Sequence, residues 1–142
     1  MTSADGSIVW VTAQGSDALL AFSAARLRTD PAHALIAAVQ VGQNPIGETF
    51  IDGSRRIVVA DSGSSPPSLM VIDAQQALCR RAGKRALVGS IPSGAAPRGL
   101  GLDGTTLLVT DQGSGQLDAV SINDIPLTRA ETLPPGQCGN GG

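Results

Sequence analysis

Asp52-Gly53-Ser54-Arg55-Arg56-Ile57-Val58-Val59-Ala60-Asp61 is the stretch that decides the fold, because it joins an Asp-Gly turn to an apolar strand. It recurs as Asp5-Gly6-Ser7-Ile8-Val9-Trp10-Val11-Thr12 and as Asp103-Gly104-Thr105-Thr106-Leu107-Leu108-Val109-Thr110-Asp111. The step between copies is about 50 residues and holds four strand-length segments, which is typical of β-propeller blades. The sequence therefore predicts an all-β chain of repeated blades with four antiparallel strands each.

The strands of each predicted blade are named A to D from the axis outward. They are, in blade 1, B (8–12), C (18–23) and D (35–41); in blade 2, A (45–51), B (56–60), C (69–73) and D (86–91); in blade 3, A (98–102), B (107–110), C (117–122) and D (129–133). Blade 1 has only a turn stub in place of strand A. The predicted boundaries are 5–42, 43–94 and 95–136, with a tail over 137–142.

The connections between blades also repeat, as Val41-Gly42-Gln43-Asn44-Pro45-Ile46-Gly47 and Ser93-Gly94-Ala95-Ala96-Pro97-Arg98-Gly99. Gly suits a turn with positive φ, and Pro fixes φ where the chain enters the next strand. A third copy begins at Leu133-Pro134-Pro135-Gly136 and stops. We therefore expect eleven strands in about two and three quarter blades, an incomplete ring.

The long C-to-D connections, 24–34 and 74–85, are predicted to be surface loops. The second has room for a helical turn or two.

Composition excludes several classes of protein. The net charge is −2 and the basic residues are scattered, so no nucleic-acid surface is expected. No apolar run is long enough to span a membrane, and Met1-Thr2-Ser3-Ala4-Asp5 does not begin a signal peptide. Cys79 and Cys138 fall in connections on opposite faces of a propeller, so a disulfide between them is not expected.

The repeat resembles the YVTN family of β-propellers. Trp10-Val11-Thr12-Ala13, Val58-Val59-Ala60-Asp61 and Leu108-Val109-Thr110-Asp111 stand where that family has Tyr-Val-Thr-Asn, and Val71-Ile72-Asp73 stands where it has Val-Ile-Asp. Lactonase-like seven-bladed propellers, WD-repeat propellers and quinoprotein dehydrogenases have a similar repeat form. The resemblance implies a propeller fold and relatives that are typically periplasmic or extracellular, although this chain shows no signal peptide.

Candidate ligand-binding residues lie on the propeller face formed by the D-to-A and B-to-C loops, where several blades meet at the axis. They are Asn44, Glu48, Asp61, Arg98 and Asp111, with Gln43 beside them. Glu48 and Arg98 could contact a polar ligand, but solvation or pairing with each other is favoured. Asp61 and Asp111 precede Ser/Gly-rich turns, and we expect them to cap those turns rather than to bind a metal.

No catalytic set is visible in the sequence. His33, the single histidine, lies in a loop on the opposite side from the candidate residues. No nucleophile elbow, paired metal cysteines or phosphate loop is present, so no cofactor or metal is expected.

Two functions remain open. The favoured one is a binding or interaction scaffold, and the alternative is a fragment of a lactonase-like or quinoprotein-dehydrogenase-like enzyme whose active-site residues lie mostly on other blades. Because an arc of under three blades leaves two apolar faces bare, the expected partners are the remaining blades or other copies of the chain. A small molecule or another protein could also bind.

Overall fold

The computed structural model describes residues 1–79 and 86–126, and these residues form ten β-strands. The strands are β1 (Ile8–Ala13), β2 (Ala18–Ser23), β3 (Leu35–Gln40), β4 (Pro45–Ile51), β5 (Arg56–Asp61), β6 (Ser68–Asp73), β7 (Leu87–Pro92), β8 (Pro97–Asp103), β9 (Thr106–Asp111) and β10 (Gln116–Ser121). Short helices α1 (Ala24–Thr29) and α2 (Ala74–Ala77) follow β2 and β6. Single 3-10 turns lie at Gln14–Ser16, Pro31–His33 and Ile122–Asp124.

The strands form three antiparallel sheets, and within each sheet neighbours in sequence are neighbours in space. Their orders are β1-β2-β3 for blade 1, β4-β5-β6-β7 for blade 2 and β8-β9-β10 for blade 3. This arrangement confirms the predicted all-β propeller arc. The expected eleventh strand, 129–133, and the tail 137–142 lie outside the described residues.

The innermost strands of neighbouring blades lie against one another and mark the axial side of the arc. The Thr12 hydroxyl of blade 1 donates to the Ile46 carbonyl of β4 at 2.9 Å. On the other side of β4, a Cβ at Gly47 would overlap the Arg98 carbonyl oxygen of β8. Glycine at position 47 therefore permits the close approach of β4 and β8.

Blade 2 has an apolar core on each of its faces, and β5 contributes to both. Ile57 and Val59 point towards blade 1, whereas Val58 and Ala60 point towards blade 3, and all four are fully buried. The first core is Trp10, Leu19, Ala21, Val39, Ile57, Val59, Ile72, Ala74, Ala77 and Ala86. The second is Ile51, Val58, Ala60, Leu69, Val71, Val88, Ile91, Leu107, Val109 and Ile125. The middle blade is thus packed between its two neighbours.

Blades 1 and 3 each have one face with no blade against it in the described structure. The outer face of blade 1 carries Val9, Val11, Leu20 and Phe22 in cross-strand pairs. The outer face of blade 3 carries Leu108, Thr110, Leu117 and Ala119 in the same kind of pairs. We call these two surfaces the end faces. Val11 is 41 % exposed and Leu117 65 % exposed.

Residues Met1–Ser3 pair with β1 and take the place of the end of strand A in blade 1. Thr2 forms a bridge with Val9, the Trp10 N–H donates to the Met1 carbonyl at 2.8 Å, and the Ser3 N–H donates to the Ile8 carbonyl at 2.9 Å. The sequence predicted only a turn stub here, and the structure extends it by three paired residues.

The two C-to-D connections are more ordered than predicted. Residues 24–29 form α1 because the Ser23 hydroxyl accepts the Arg26 N–H, and Asp73 caps α2 through the Gln76 N–H. The prediction of a plain loop in the first connection was wrong, because the Ser23 cap stabilises a helical turn and a half there. Cys79 is disulfide-bonded, and none of the cysteines is free, which contradicts the expectation that this chain with two cysteines forms no disulfide. Cys138 lies outside the described residues.

Candidate functional site

The five predicted site residues lie at several separate positions. Asn44 and Asp61 meet at the junction of blades 1 and 2, while Asp111 lies at the equivalent junction of blades 2 and 3. Glu48 and Arg98 are on the inner strands β4 and β8. The structure therefore brings Asn44 and Asp61 together. Asp111, Glu48 and Arg98 each lie at a different place in the fold.

Asp61 lies at the end of β5 in a cradle formed by the preceding D-to-A loop. The residue is fully buried, and neither carboxyl oxygen has a well-aligned hydrogen-bond partner. A Cβ at Gly42 would lie 2.6 Å from the Asp61 Oδ2 and 2.5 Å from the Ser64 Oγ. Only glycine fits between these two side chains without displacing one of them.

The loop that covers Asp61 is held by hydrogen bonds from both blades. On the blade 1 side, the Val41 N–H donates to the Asp17 carbonyl and the Asn44 N–H to the Asp17 Oδ1, both at 2.9 Å. On the blade 2 side, the Gln43 N–H donates to the Ser64 Oγ at 3.1 Å. This junction therefore links the two blades by polar contacts as well as by the apolar core.

The junction of blades 2 and 3 repeats this construction. Asp111 is 1 % exposed, and its carboxyl oxygens also lack a well-aligned partner. A Cβ at Gly94 would lie 2.7 Å from the Asp111 Oδ2 and 2.5 Å from the Ser114 Oγ, and the Ser114 Oγ accepts the Ala95 N–H at 3.0 Å. Blade 1 has Ala13 at the equivalent end of β1. Only the two blades that follow a D-to-A loop in the described residues carry the aspartate.

Burial changes the acid strength of both carboxyls. It raises the pKa of Asp61 to about 7; the Gly42 N–H offsets part of this rise, and the nearby Asp17 carboxylate adds to it. Burial also raises the pKa of Asp111, and the neighbouring Asp118 carboxyl acts in the same direction. Both residues close the following turns through their own backbone, as predicted: the Asp61 carbonyl accepts the Ser64 N–H at 3.1 Å, and the Asp111 carbonyl accepts the Gly115 N–H at 2.8 Å. Their carboxyl oxygens lie instead under the preceding loop.

Glu48 and Arg98 do not pair with each other. Glu48 Oε1 accepts a hydrogen bond from the Met1 ammonium group at 2.9 Å, and its Oε2 is buried without a partner. Arg98 donates to the Gln112 side-chain oxygen at 2.7 Å. The expectation of solvation or mutual pairing therefore holds for Arg98, which is exposed, and was wrong for Glu48, which is mostly buried and pairs with Met1.

The chemistry available at these positions is limited to single groups. A carboxyl with a pKa near 7 can in principle transfer protons, but Asp61 is fully buried beneath the loop and is not accessible to a substrate. Within residues 1–79 and 86–126, no group of three or more His, Cys, Asp or Glu side chains is arranged to hold a metal ion. His33 is exposed and contacts Asp30 at 2.9 Å.

The opposite face of the propeller holds a cavity that sequence reasoning missed. It has a volume of about 410 Å³ and lies where blades 1 and 2 meet α2. Its walls include Ile8, Trp10, Phe50 and Leu78. No sequence pattern could reveal it, because it forms between side chains of separate blades. None of the five predicted site residues lines this cavity or a smaller one of about 210 Å³ beside Ile51 and Ile125.

No helix among the described residues has both the length and the apolar character needed to cross a lipid bilayer.

No family model matches the sequence, and no curated protein matches it either. Solved structures do match in fold. Hydrazine synthase from Kuenenia stuttgartiensis aligns with a TM-score of 0.68 at 22 % identity, over 90 % of this chain and 33 % of that one. A putative 6-phosphogluconolactonase from Bacteroides uniformis ATCC 8492 aligns with a TM-score of 0.68 at 16 % identity, over 90 % of this chain and 38 % of that one.

A functionally unknown protein from Desulfotomaculum acetoxidans DSM 771 aligns with a TM-score of 0.65 at 12 % identity, over 96 % of this chain and 39 % of that one. The chain thus spans between a third and two fifths of the length of these structures. At such identities the likeness concerns the fold alone, and it supports a propeller-type fold for this chain.

Proposed function

We propose that the chain is an interaction scaffold: a three-blade part of a larger β-propeller that binds further blades through its two end faces. The observation that carries this proposal is that the end faces use the same positions that are buried in the middle blade. Val9 and Val11 of blade 1 correspond to Ile57 and Val59 of blade 2, which are fully buried. Leu117 of blade 3 corresponds to the fully buried Leu69.

The surroundings of the polar residues also support a scaffold. Asn44, Glu48 and Arg98 each contact a different partner within the chain, namely Asp17, Met1 and Gln112. An active site would require such groups to converge on a single space large enough for a substrate. Here their contacts serve instead to join loops and neighbouring strands.

Sedimentation of the isolated chain tests this proposal, with a second copy standing in for the further blades. We expect concentration-dependent self-association, because each bare end face can pack on the opposite end face of another copy. Val11→Lys on one end face and Leu117→Lys on the other should each weaken the association.

Leu27→Lys is the matched control for these variants. Leu27 is similarly exposed, at 39 %, but it lies on α1 and belongs to neither end face. A wild-type chain that stays monomeric at all concentrations would contradict the proposal. Equal weakening by Leu27→Lys would contradict it as well.

A second candidate function is part of a lactone-hydrolysing enzyme, favoured by the fold likeness to the putative 6-phosphogluconolactonase. Hydrolysis of 6-phosphogluconolactone by the chain can be followed against the rate in buffer alone. A rate above that of buffer which falls in Glu48→Gln and Arg98→Ala, but persists in the exposed control Asp103→Asn, would favour the enzyme. We expect no such rate from this chain.

A further inference from the structure

The cavity between blade 1, blade 2 and α2 has the properties of a small-molecule site. Its volume of about 410 Å³ lies within the range of pockets that hold a ligand. Trp10 and Phe50 contribute aromatic walls from two different blades, and Ile8 and Leu78 contribute aliphatic ones. Trp10 is only 2 % exposed because it packs in the first apolar core, so it offers the cavity a small and fixed part of its surface, and the partly exposed Phe50 offers the larger aromatic wall.

The charge of the walls restricts the ligand. None of the nine described residues that line the cavity is acidic or basic. A charged ligand would lose hydration there without gaining an ion pair from any of these nine residues, which is unfavourable. The walls therefore favour an uncharged molecule.

Two of the residues that line the cavity carry side-chain donors that are not bonded to the described part of the chain. Neither the Trp10 indole N–H nor the Ser54 hydroxyl has a hydrogen-bond partner within residues 1–79 and 86–126. Ser54 also has a φ of 70°, a conformation that residues other than glycine rarely adopt and that is found at ligand-binding positions. An oxygen acceptor on the ligand would satisfy either donor.

We propose that this cavity binds an uncharged ring compound that carries a carbonyl or ether oxygen, with the ring against Trp10 and Phe50 and the oxygen accepting from Trp10 or Ser54. The site is on the opposite side of the propeller from the D-to-A loops and does not depend on the scaffold role proposed above. Binding here and association through the end faces are therefore separate properties, and either can fail without the other.

The single tryptophan provides a direct measurement, because the indole N–H of Trp10 gives one cross-peak in a proton–nitrogen correlation spectrum of labelled protein. The probe is methyl naphthyl ketone, compared with ethylnaphthalene, which lacks the acceptor, and naphthoate, which is charged. We expect the ketone to shift the cross-peak saturably. The hydrocarbon should bind on the order of three- to tenfold more weakly, and naphthoate should not bind.

Ala74→Leu fills the cavity from the α2 side and should abolish the shift. Ala119→Leu is the matched control, since the same substitution on the exposed end face of blade 3 leaves the cavity unchanged. No saturable shift with the ketone in the wild-type chain would overturn the proposal, as would a shift that persists in Ala74→Leu. The Trp10 cross-peak could also stay in place with the ketone and shift only when the Cys79 disulfide is reduced. That result would show that the chain itself fills the cavity, and it would overturn the proposal.

Discussion

The middle blade and the end blades are built from the same repeat, yet equivalent side chains have opposite environments. Leu69 in blade 2 is fully buried against blade 3, whereas Leu117, at the same position of blade 3, is 65 % exposed. The repeat therefore encodes a surface that is ready to pack on both sides. Whether a given residue stabilises the fold depends on whether a neighbouring blade is present, not on the residue itself.

The largest expected difference comes from truncating this equivalent pair. Leu69→Ala removes a side chain packed on all sides and should lower the free energy of unfolding by about 2–5 kcal/mol. Leu117→Ala should change it by no more than about 0.5 kcal/mol, because the side chain is mostly in water. Urea unfolding of both variants measures the difference, at a protein concentration low enough for the end faces to be free of other copies. Comparable losses would mean that Leu117 is covered in solution.

A smaller difference is expected at two glycines of the inner strands. Gly47→Ala places a methyl group against the Arg98 backbone of the next blade and should destabilise the chain by about 1–3 kcal/mol. Gly101→Ala on β8 meets nothing within 4 Å and should be close to neutral. Thermal unfolding of the two variants separates them. A neutral Gly47→Ala would show that β4 and β8 are further apart than the structure places them.

The buried carboxyl of Asp61 at the junction of blades 1 and 2 should make the stability of the chain depend on pH. Because the pKa of Asp61 rises from 3.8 to about 7 on folding, the folded state holds a proton between these values that the unfolded state releases. Stability should therefore fall as pH rises from about 4 to about 7 and then level off. The slope from this group is at most about 1.4 kcal/mol per pH unit, and less where water reaches the carboxyl.

Asp61→Asn should make this slope shallower, leaving the part that Asp111 contributes with the same sign, and should make the chain more stable than the wild type at pH 8. The exposed Asp103→Asn is the control and should leave the profile unchanged. Urea midpoints measured from pH 4 to pH 8 test the expectation. A wild-type profile that rises over this range would exclude the burial of Asp61 as the dominant effect.

Much of the fold could be predicted from the sequence, because its determinants are local. Alternating apolar residues and the repeated Asp-Gly and Gly-x-x-Pro-x-Gly turns marked every described strand to within one or two residues. The helix α1 could also have been predicted, because Ser23 is a residue type that caps helix N-termini and its hydroxyl accepts the Arg26 N–H.

The site was harder to predict, because its properties come from residues far apart in the chain. Asp61 was placed correctly at the end of a strand, but its burial depends on Gly42 and Ser64 closing over it. The partners of Glu48 and Arg98, Met1 and Gln112, depend on how neighbouring inner strands are staggered. The cavity at Trp10 forms where blades 1 and 2 meet α2, and a local sequence pattern cannot predict contacts between such distant segments.

Strand β5 has a consequence for how the chain unfolds. Its successive residues Ile57 and Val58 belong to different cores, so neither core can melt without disturbing the strand that serves the other. Such a shared strand couples the three sheets into one cooperative unit, in contrast to blades that would open one at a time. Amide hydrogen exchange should therefore be slowest in β5 and should quicken towards β3 and β10, the strands furthest from it.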